Sequence, residues 1–327
     1  MRKTSKAKPG DLLLRLAWQN PDRLIRRFVD HSAPRFFRER FARILQAFLT
    51  GCNSVLHTQL DGEIIRCQLD QRFDAFYRGF AFEGIGLGLG IRSAVVWRGK
   101  SQFEQEMQRI APEYVYQYYV GLGWWLHIRY GFRMAGYRKW LANLHPGYRP
   151  IVFDGVGFRT GLFLYRQNPR ILEKWNGFVH DYRRVCFQGL GRSFWFLYQF
   201  DFARVAAEIE RLPDRYRADT YSGVGLAIAY SMFDRMDFVC LVLKQVPDKD
   251  KAAFLQGLAF GWEARKLQNP MFWKEVVSRC TDSQCRMMLR GIETVHQVRS
   301  CFDQTDHDSF YPKWLDETRR RLQRMKG

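Results

Sequence analysis

One interval governs this chain. Gly121, Gly155, Gly189, Gly223, Gly257 and Gly291 follow one another at steps of 34 residues, with Gly84 lying 37 before the first and Gly51 a further 33 upstream. The flanks repeat with the glycines. An apolar residue follows each one (Cys52, Ile85, Leu122, Val156, Leu190, Val224, Leu258, Ile292), and another apolar or aromatic residue stands two positions before. Five copies add a second glycine two residues on, at Gly86, Gly123, Gly157, Gly191 and Gly225, and the next copy carries Ala259 there. Tyrosine stands seven before the glycine at Tyr77, Tyr114, Tyr148, Tyr182 and Tyr216, and arginine follows it at Arg78, Arg149, Arg183 and Arg217. A period of this length means a supersecondary unit repeated along the chain, whose apolar face is buried only by stacking on its neighbours.

The segments between the glycine phrases decide between helix and strand. Asn168-Pro169 and Asn269-Pro270 each put a capping side chain before proline at the first helical position, and Asp201 and Asp237 open short runs of apolar periodicity. Pro112, Pro146, Pro213 and Pro247 fall nine or ten residues before a phrase glycine, with Asp74 and Asp282 in similar places. That spacing suits a helix beginning about two and a half turns upstream and running through the glycine. In one copy Pro150 lies five before Gly155, so that helix is expected to start late, with Tyr148 and Arg149 at its entry. The fold class expected is therefore all-α: a solenoid of about eight two-helix repeats with a 34-residue period. Residues 1–41 are expected to form a basic N-terminal helical cap, 42–300 the repeat array and 301–327 a basic C-terminal capping helix.

Composition narrows the partners more than the chemistry. The formal charge of +19 favours anionic partners, and residues 1–46 concentrate it, with twelve Lys and Arg against four acids. The segment around Leu12, Leu13, Leu16, Leu24, Ile25 and Phe28 is amphipathic, which suits a cap or a membrane-surface helix. Seven cysteines, odd in number and mostly within apolar runs, fit reduced core residues, and Cys280 and Cys285 have no second pair at zinc spacing. Neither a metal nor a cofactor is expected. Asp303, Asp306, His307 and Asp308 are taken as a solvated acidic turn. No apolar run is long enough to span a bilayer, and a cytoplasmic location is the expectation.

No nucleophile, zinc or phosphate-loop signature is present; Gly84, Gly86, Gly88 and Gly90 are followed by Ile91 and Arg92 where a dinucleotide fingerprint needs its last glycine. Glycine within a helix costs about 1 kcal/mol against alanine, so its recurrence at Gly84, Gly121, Gly155, Gly189, Gly223 and Gly257 needs a return. Close helix packing is one, and a groove for a ligand chain is the other. The residue before each glycine (Thr50, Glu83, Val120, Asp154, Gln188, Ser222, Gln256, Arg290) is mostly polar between apolar neighbours and should fall on one line, as a polar track or a solvated face. Glu83 and Asp154 are its only acids and so the catalytic acid/base candidates. Tyr77, Tyr148, Tyr182 and Tyr216 with Arg78, Arg149, Arg183 and Arg217 either pack rings and cap helix carbonyls or present an arginine ladder to a partner.

The period and two-helix unit resemble tetratricopeptide repeats, without the Trp, Tyr and Ala positions of that consensus. Phe80-Ala-Phe-Glu-Gly-Ile-Gly86, Val152-Phe-Asp-Gly-Val-Gly157 and Phe187-Gln-Gly-Leu-Gly-Arg-Ser193 resemble the bacterial family labelled domain of unknown function 1702, over roughly residues 30–325. Some members of that family lie in enediyne gene clusters, so the resemblance implies a role near polyketide biosynthesis. It carries over no catalytic set. The function expected is a helical-repeat binding or accessory protein engaging an acidic partner, such as an acyl carrier protein, or an apolar chain. The alternatives are an enzyme acting on an apolar chain in a glycine-lined groove, and a nucleic-acid-binding solenoid.

Overall fold

A computed structural model describes residues 9–29, 32–96, 99–302 and 310–324. In chain order the helices are α1 (Pro9–Leu16), α2 (Pro21–Phe28), α3 (Arg35–Ser54), α4 (Gly62–Arg72), α5 (Ala75–Ser93), α6 (Gly99–Ile110), α7 (Val115–Tyr130), α8 (Met134–Leu141), α9 (Val152–Thr160), α10 (His180–Leu197), α11 (Phe202–Ile209), α12 (Asp214–Ser231), α13 (Met236–Gln245), α14 (Lys251–Gln268), α15 (Pro270–Val277), α16 (Asp282–Phe302) and α17 (Phe310–Arg324). Among the described residues there is no strand. Every phrase glycine sits on a helix: α3, α5, α7, α9, α10, α12, α14 and α16 in turn. A further helical segment lies between each successive pair. Between α9 and α10 that segment is a π-turn (Gly161–Tyr165) followed by a 3-10 stretch (Pro169–Gly177).

The helix starts follow the local chemistry. Asp74 accepts from the backbone N of Phe76 at 3.0 Å and opens α5; Asp201 accepts from Arg204 N and opens α11; Asn269 accepts from Phe272 N and opens α15. Asp237 lies inside the first turn of α13 rather than at its cap. Pro150 holds residues 149–151 in a 3-10 turn and α9 begins only at Val152, so Tyr148 and Arg149 precede it. The first glycine helix already starts at Arg35. The cluster at Asp303, Asp306, His307 and Asp308 lies outside the described residues.

The chain divides into two compact units, residues 1–131 with 136–144, and residues 132–135 with 145–327. In the first, α5 packs between α3 and α7. In the second, α10 packs between α9 and α12, and α12 in turn packs on α14. The large fully buried side chains are aromatic (Phe82, Tyr118 and Tyr119 in the first unit, Phe153, Trp195 and Tyr221 in the second), as the composition requires. No helix among the described residues is long and apolar enough to cross a membrane.

Candidate functional site: the glycine faces and the polar line

The glycines mark where backbone meets backbone. A Cβ added at Gly84 would overlap the carbonyl of Phe48 and lie 2.9 Å from Cys52 N, while one at Gly86, half a turn on, would meet Tyr118. The same division of labour appears in the second unit. Gly189 faces Asp154 and Phe158 on the preceding helix, and Gly191 faces Thr220 on the following one; Gly223 faces Gln188, and Gly225 faces Phe254. Gly121 lies against Glu83 and Leu87, and Gly257 against Ser222 and Leu226, while Gly155 is buried in α9. Along these faces the space a side chain would take is filled by the next helix, which leaves no groove there for a ligand chain.

The tyrosines stack on phenylalanine. Tyr114 lies on Phe82 with ring centroids 3.8 Å apart, Tyr182 on Phe153 at 4.2 Å and Tyr216 on Phe187 at 4.0 Å, the planes within 18° of parallel. Each of these three tyrosines, seven before its own glycine, thus covers the phenylalanine two before the previous glycine rather than the glycine itself. Tyr77 meets Phe76 edge-on at 4.9 Å, and the Tyr148 hydroxyl accepts from Arg299 at 2.7 Å. The arginines beside them turn to helix ends. Arg183 donates to the carbonyls of Trp175, Asn176 and Phe178, each at 3.2 Å. Arg217 donates to Leu212 O at 3.0 Å and to Glu210 O, and Arg78 to Phe73 O at 3.0 Å and Asp70 O at 3.3 Å. Of the two roles open to these residues, the geometry favours satisfying the orphan carbonyls of the preceding segment. Arg149 stands at the entry to α9.

The residues before the glycines do not form a solvated face in the second unit. Asp154 is 1% exposed, and Gln188, Ser222 and Gln256 are fully buried. They join in one direction: Tyr311 OH donates to Gln188 Oε1 at 3.1 Å, Gln188 Nε2 to Ser222 Oγ at 3.1 Å, and Ser222 Oγ to Gln256 Oε1 at 2.8 Å. Aligned donors of this kind polarise one another in a low-dielectric interior. Arg319 Nε closes the run on Gln256 Oε1 at 3.1 Å.

Tyr311 and Arg319 both belong to α17, so the C-terminal helix lies over the line. It is anchored at three further points. Trp314 Nε1 donates to Val295 O at 2.9 Å, Arg319 pairs with Asp219 at 2.7 Å, and Arg184 on α10 bonds both Asp219 oxygens at 3.0 Å while reaching Asp316 on α17 at 2.5 and 2.7 Å. Burial alone would lower the Arg184 pKa, but its bonds to Asp316 and Asp219 hold it raised. Burial pushes the Tyr311 phenol up, with Asp154 adding to it, so it stays a neutral donor. No motif marked Arg184, Asp219, Tyr311 or Arg319; for Tyr311 and Arg319 the only sequence signal is the basic C-terminal helix, and for Arg184 and Asp219 there is none.

The two acid candidates differ in what surrounds them. Asp154 pairs with Arg192, whose guanidinium also lies 4.6 Å from the Phe158 ring centre, and burial raises the carboxyl above its ordinary 3.8 even against that partner. Glu83 is buried on α5 in the first unit, 3% exposed. Thr50 is half-buried, Val120 buried and Arg290 exposed, so the line ends in solvent at α16. Among the described residues no group of His, Cys, Asp and Glu could hold a metal ion. All seven cysteines are unbridged, and burial pushes Cys52 up to about 12 and Cys186 well above its usual value.

These features define an all-helical protein built from glycine-faced helices in backbone contact. Residues 15–324 match the family described as Protein of unknown function (DUF1702), and the chain belongs to that family. No curated protein and no solved structure matches it.

Proposed function

We propose that the protein is a helical-repeat binding protein, an array of about eight two-helix repeats of 34-residue period, which engages an acidic protein partner through its exposed basic surface. The observation that carries this reading is where accessible charge lies. In the second unit the glycine faces are filled, the polar line is buried under α17 and Arg183 and Arg217 are spent on carbonyls, whereas Arg170, Lys174, Arg204, Lys244 and Lys274 stand exposed on the short second segments. An acid/base catalyst must reach its substrate, and Asp154 is sealed against Arg192. That weighs against the enzyme reading. The family resemblance suggests a carrier protein of polyketide or enediyne-type biosynthesis as the acidic partner. The test titrates the protein with an acidic acyl carrier protein and, separately, with duplex DNA at about 0.1 and 0.5 M salt. Saturable, salt-sensitive binding of the carrier, weakened about tenfold by Arg170→Glu with Lys174→Glu, supports the proposal. No carrier binding at low salt, or tighter binding to duplex DNA, removes it.

A further inference from the structure

The residues ahead of the first glycine helix and at its start carry an apolar and basic surface that the acidic-partner reading does not use. Among the described residues, four of the eleven strongly exposed large apolar side chains fall within residues 13–36: Leu13 at 56%, Leu16 at 78%, Trp18 at 53% and Phe36 at 42%. Scattered singly, such side chains are ordinary; gathered into one short segment they point to a surface of apolar contact. Leu13 and Leu16 are three apart on α1 and so share a face, while Leu14 between them is fully buried.

The segment is held rather than loose. Gln19 N donates to Asn53 Oδ1 at 3.0 Å and Asn53 Nδ2 returns a bond to Gln19 O at 2.8 Å, which pins the turn after α1 to the end of α3. Asn20 then caps α2 through Asp22 N at 2.9 Å. On α2, Leu24, Ile25 and Phe28 are half-buried and the helix packs on α3, so Arg23, Arg26 and Arg27 are left in solvent. Arg15 and Arg35 are exposed as well. Of the exposed acids nearby, Glu39 is taken up by Arg35 at 2.6 Å and Asp22 lies in the first turn of α2.

We infer that this surface docks in the plane of a membrane rich in anionic lipid. Leucine and tryptophan tips enter the boundary between headgroups and acyl chains, and the arginines beside them meet headgroup phosphates and carboxylates. Nucleic acid fits the arginines but offers nothing to exposed leucines. The sequence adds Arg2, Lys3, Lys6 and Lys8 directly before α1, which continues the same charge. With no helix able to cross the bilayer among the described residues, the attachment is peripheral and reversible.

The test is flotation of the full-length protein with vesicles of phosphatidylcholine alone and with about one-third phosphatidylserine. Wild type floats with the anionic vesicles at about 0.1 M salt, much less with neutral ones, and is released at about 0.5 M. Each surface arginine contributes about fivefold, so Arg26→Gln with Arg27→Gln lowers partitioning about thirtyfold. Trp18→Ala lowers it about tenfold. These side chains are exposed, so neither variant should change the melting temperature, which is measured alongside. The inference is overturned by absent flotation with anionic vesicles at low salt, by equal flotation with neutral ones, or by variants that float like wild type. Loss of acidic-protein binding in the arginine variant without any vesicle binding overturns it too, and would give this face to the protein partner.

Discussion

Replacing Gly189 with alanine is a test of sign, because two effects of similar size oppose each other. In a helix with space around it, alanine is worth about 1 kcal/mol more than glycine. Here the new Cβ would sit 2.7 Å from Phe158 N and 2.8 Å from Asp154 C, and inside contact of the Asp154 oxygen. These are backbone atoms of α9 and cannot rotate away. To reach an ordinary contact α10 must withdraw by about 1 Å or more, which loosens the Phe153–Tyr182 stack at 4.2 Å and the Asp154–Arg192 pair with it. Overpacking of this kind costs about 1–3 kcal/mol, so after a gain of about 1 kcal/mol in propensity a net loss of up to about 2 kcal/mol is expected. Gly291 is the internal control: its nearest neighbour would be the Ala259 methyl at 3.1 Å, and Gly291→Ala should fall within about 0.5 kcal/mol of zero. Urea unfolding followed by far-ultraviolet circular dichroism measures both. A Gly189→Ala variant more stable than wild type by about 1 kcal/mol, the full gain in propensity, would show that the close approach does not exist.

Two further outcomes follow from the site. Arg183→Gln removes charged donors from three carbonyls and is expected to lose about 1.5–3 kcal/mol in thermal unfolding while leaving acidic-carrier affinity unchanged; a selective loss of binding would reverse that assignment. For Asp154→Asn the pH dependence carries the information. The folded carboxyl binds its proton more tightly than the unfolded one, so wild type should lose stability relative to the variant as pH rises from about 4 through the raised folded value. Wild type gaining stability relative to the variant as pH rises over that range would contradict the raised pKa.

Much of the fold was legible because helix starts are chemically local. Asp74, Asp201, Asn269 and Pro150 act within four residues of themselves, and each set its helix boundary as those residues require. The π-turn at Gly161–Tyr165 gave no such signal: a Cβ at Gly161 would overlap the Ser193 hydroxyl of α10, an approach from another helix that no neighbouring residue announces. The aromatic stacks lie between these cases. Both partners recur in the sequence at fixed distances from glycine, but pairing Phe153 with Tyr182 requires the register of one helix against the next, which the period alone does not supply. The polar line was visible as residues but not as environment. Gln188, Ser222 and Gln256 could be wet or buried depending on what lies above them, and what lies above them is α17, a helix outside the period.

The position of α17 coincides with a break in the glycine pattern. In α5, α10 and α12 the first glycine lets in the backbone of the helix before and the second that of the helix after, as Gly189 does toward Asp154 and Gly191 toward Thr220. In α14 the second position is Ala259. Its methyl stands where backbone would otherwise meet backbone, and Gly291 on α16 faces that methyl instead of a carbonyl. Two helices held apart by a methyl leave a seam that side chains must fill. Trp314 fills it, its ring 4.5 Å from Phe260 on α14 and its Nε1 bonded to Val295 O on α16. With Trp314 fixed there, Tyr311 and Arg319, one turn before and a little over one turn after, reach Gln188 and Gln256. The exchange of glycine for alanine at 259 thus accompanies the seating of the C-terminal helix against α14 and α16, from which it closes the polar line.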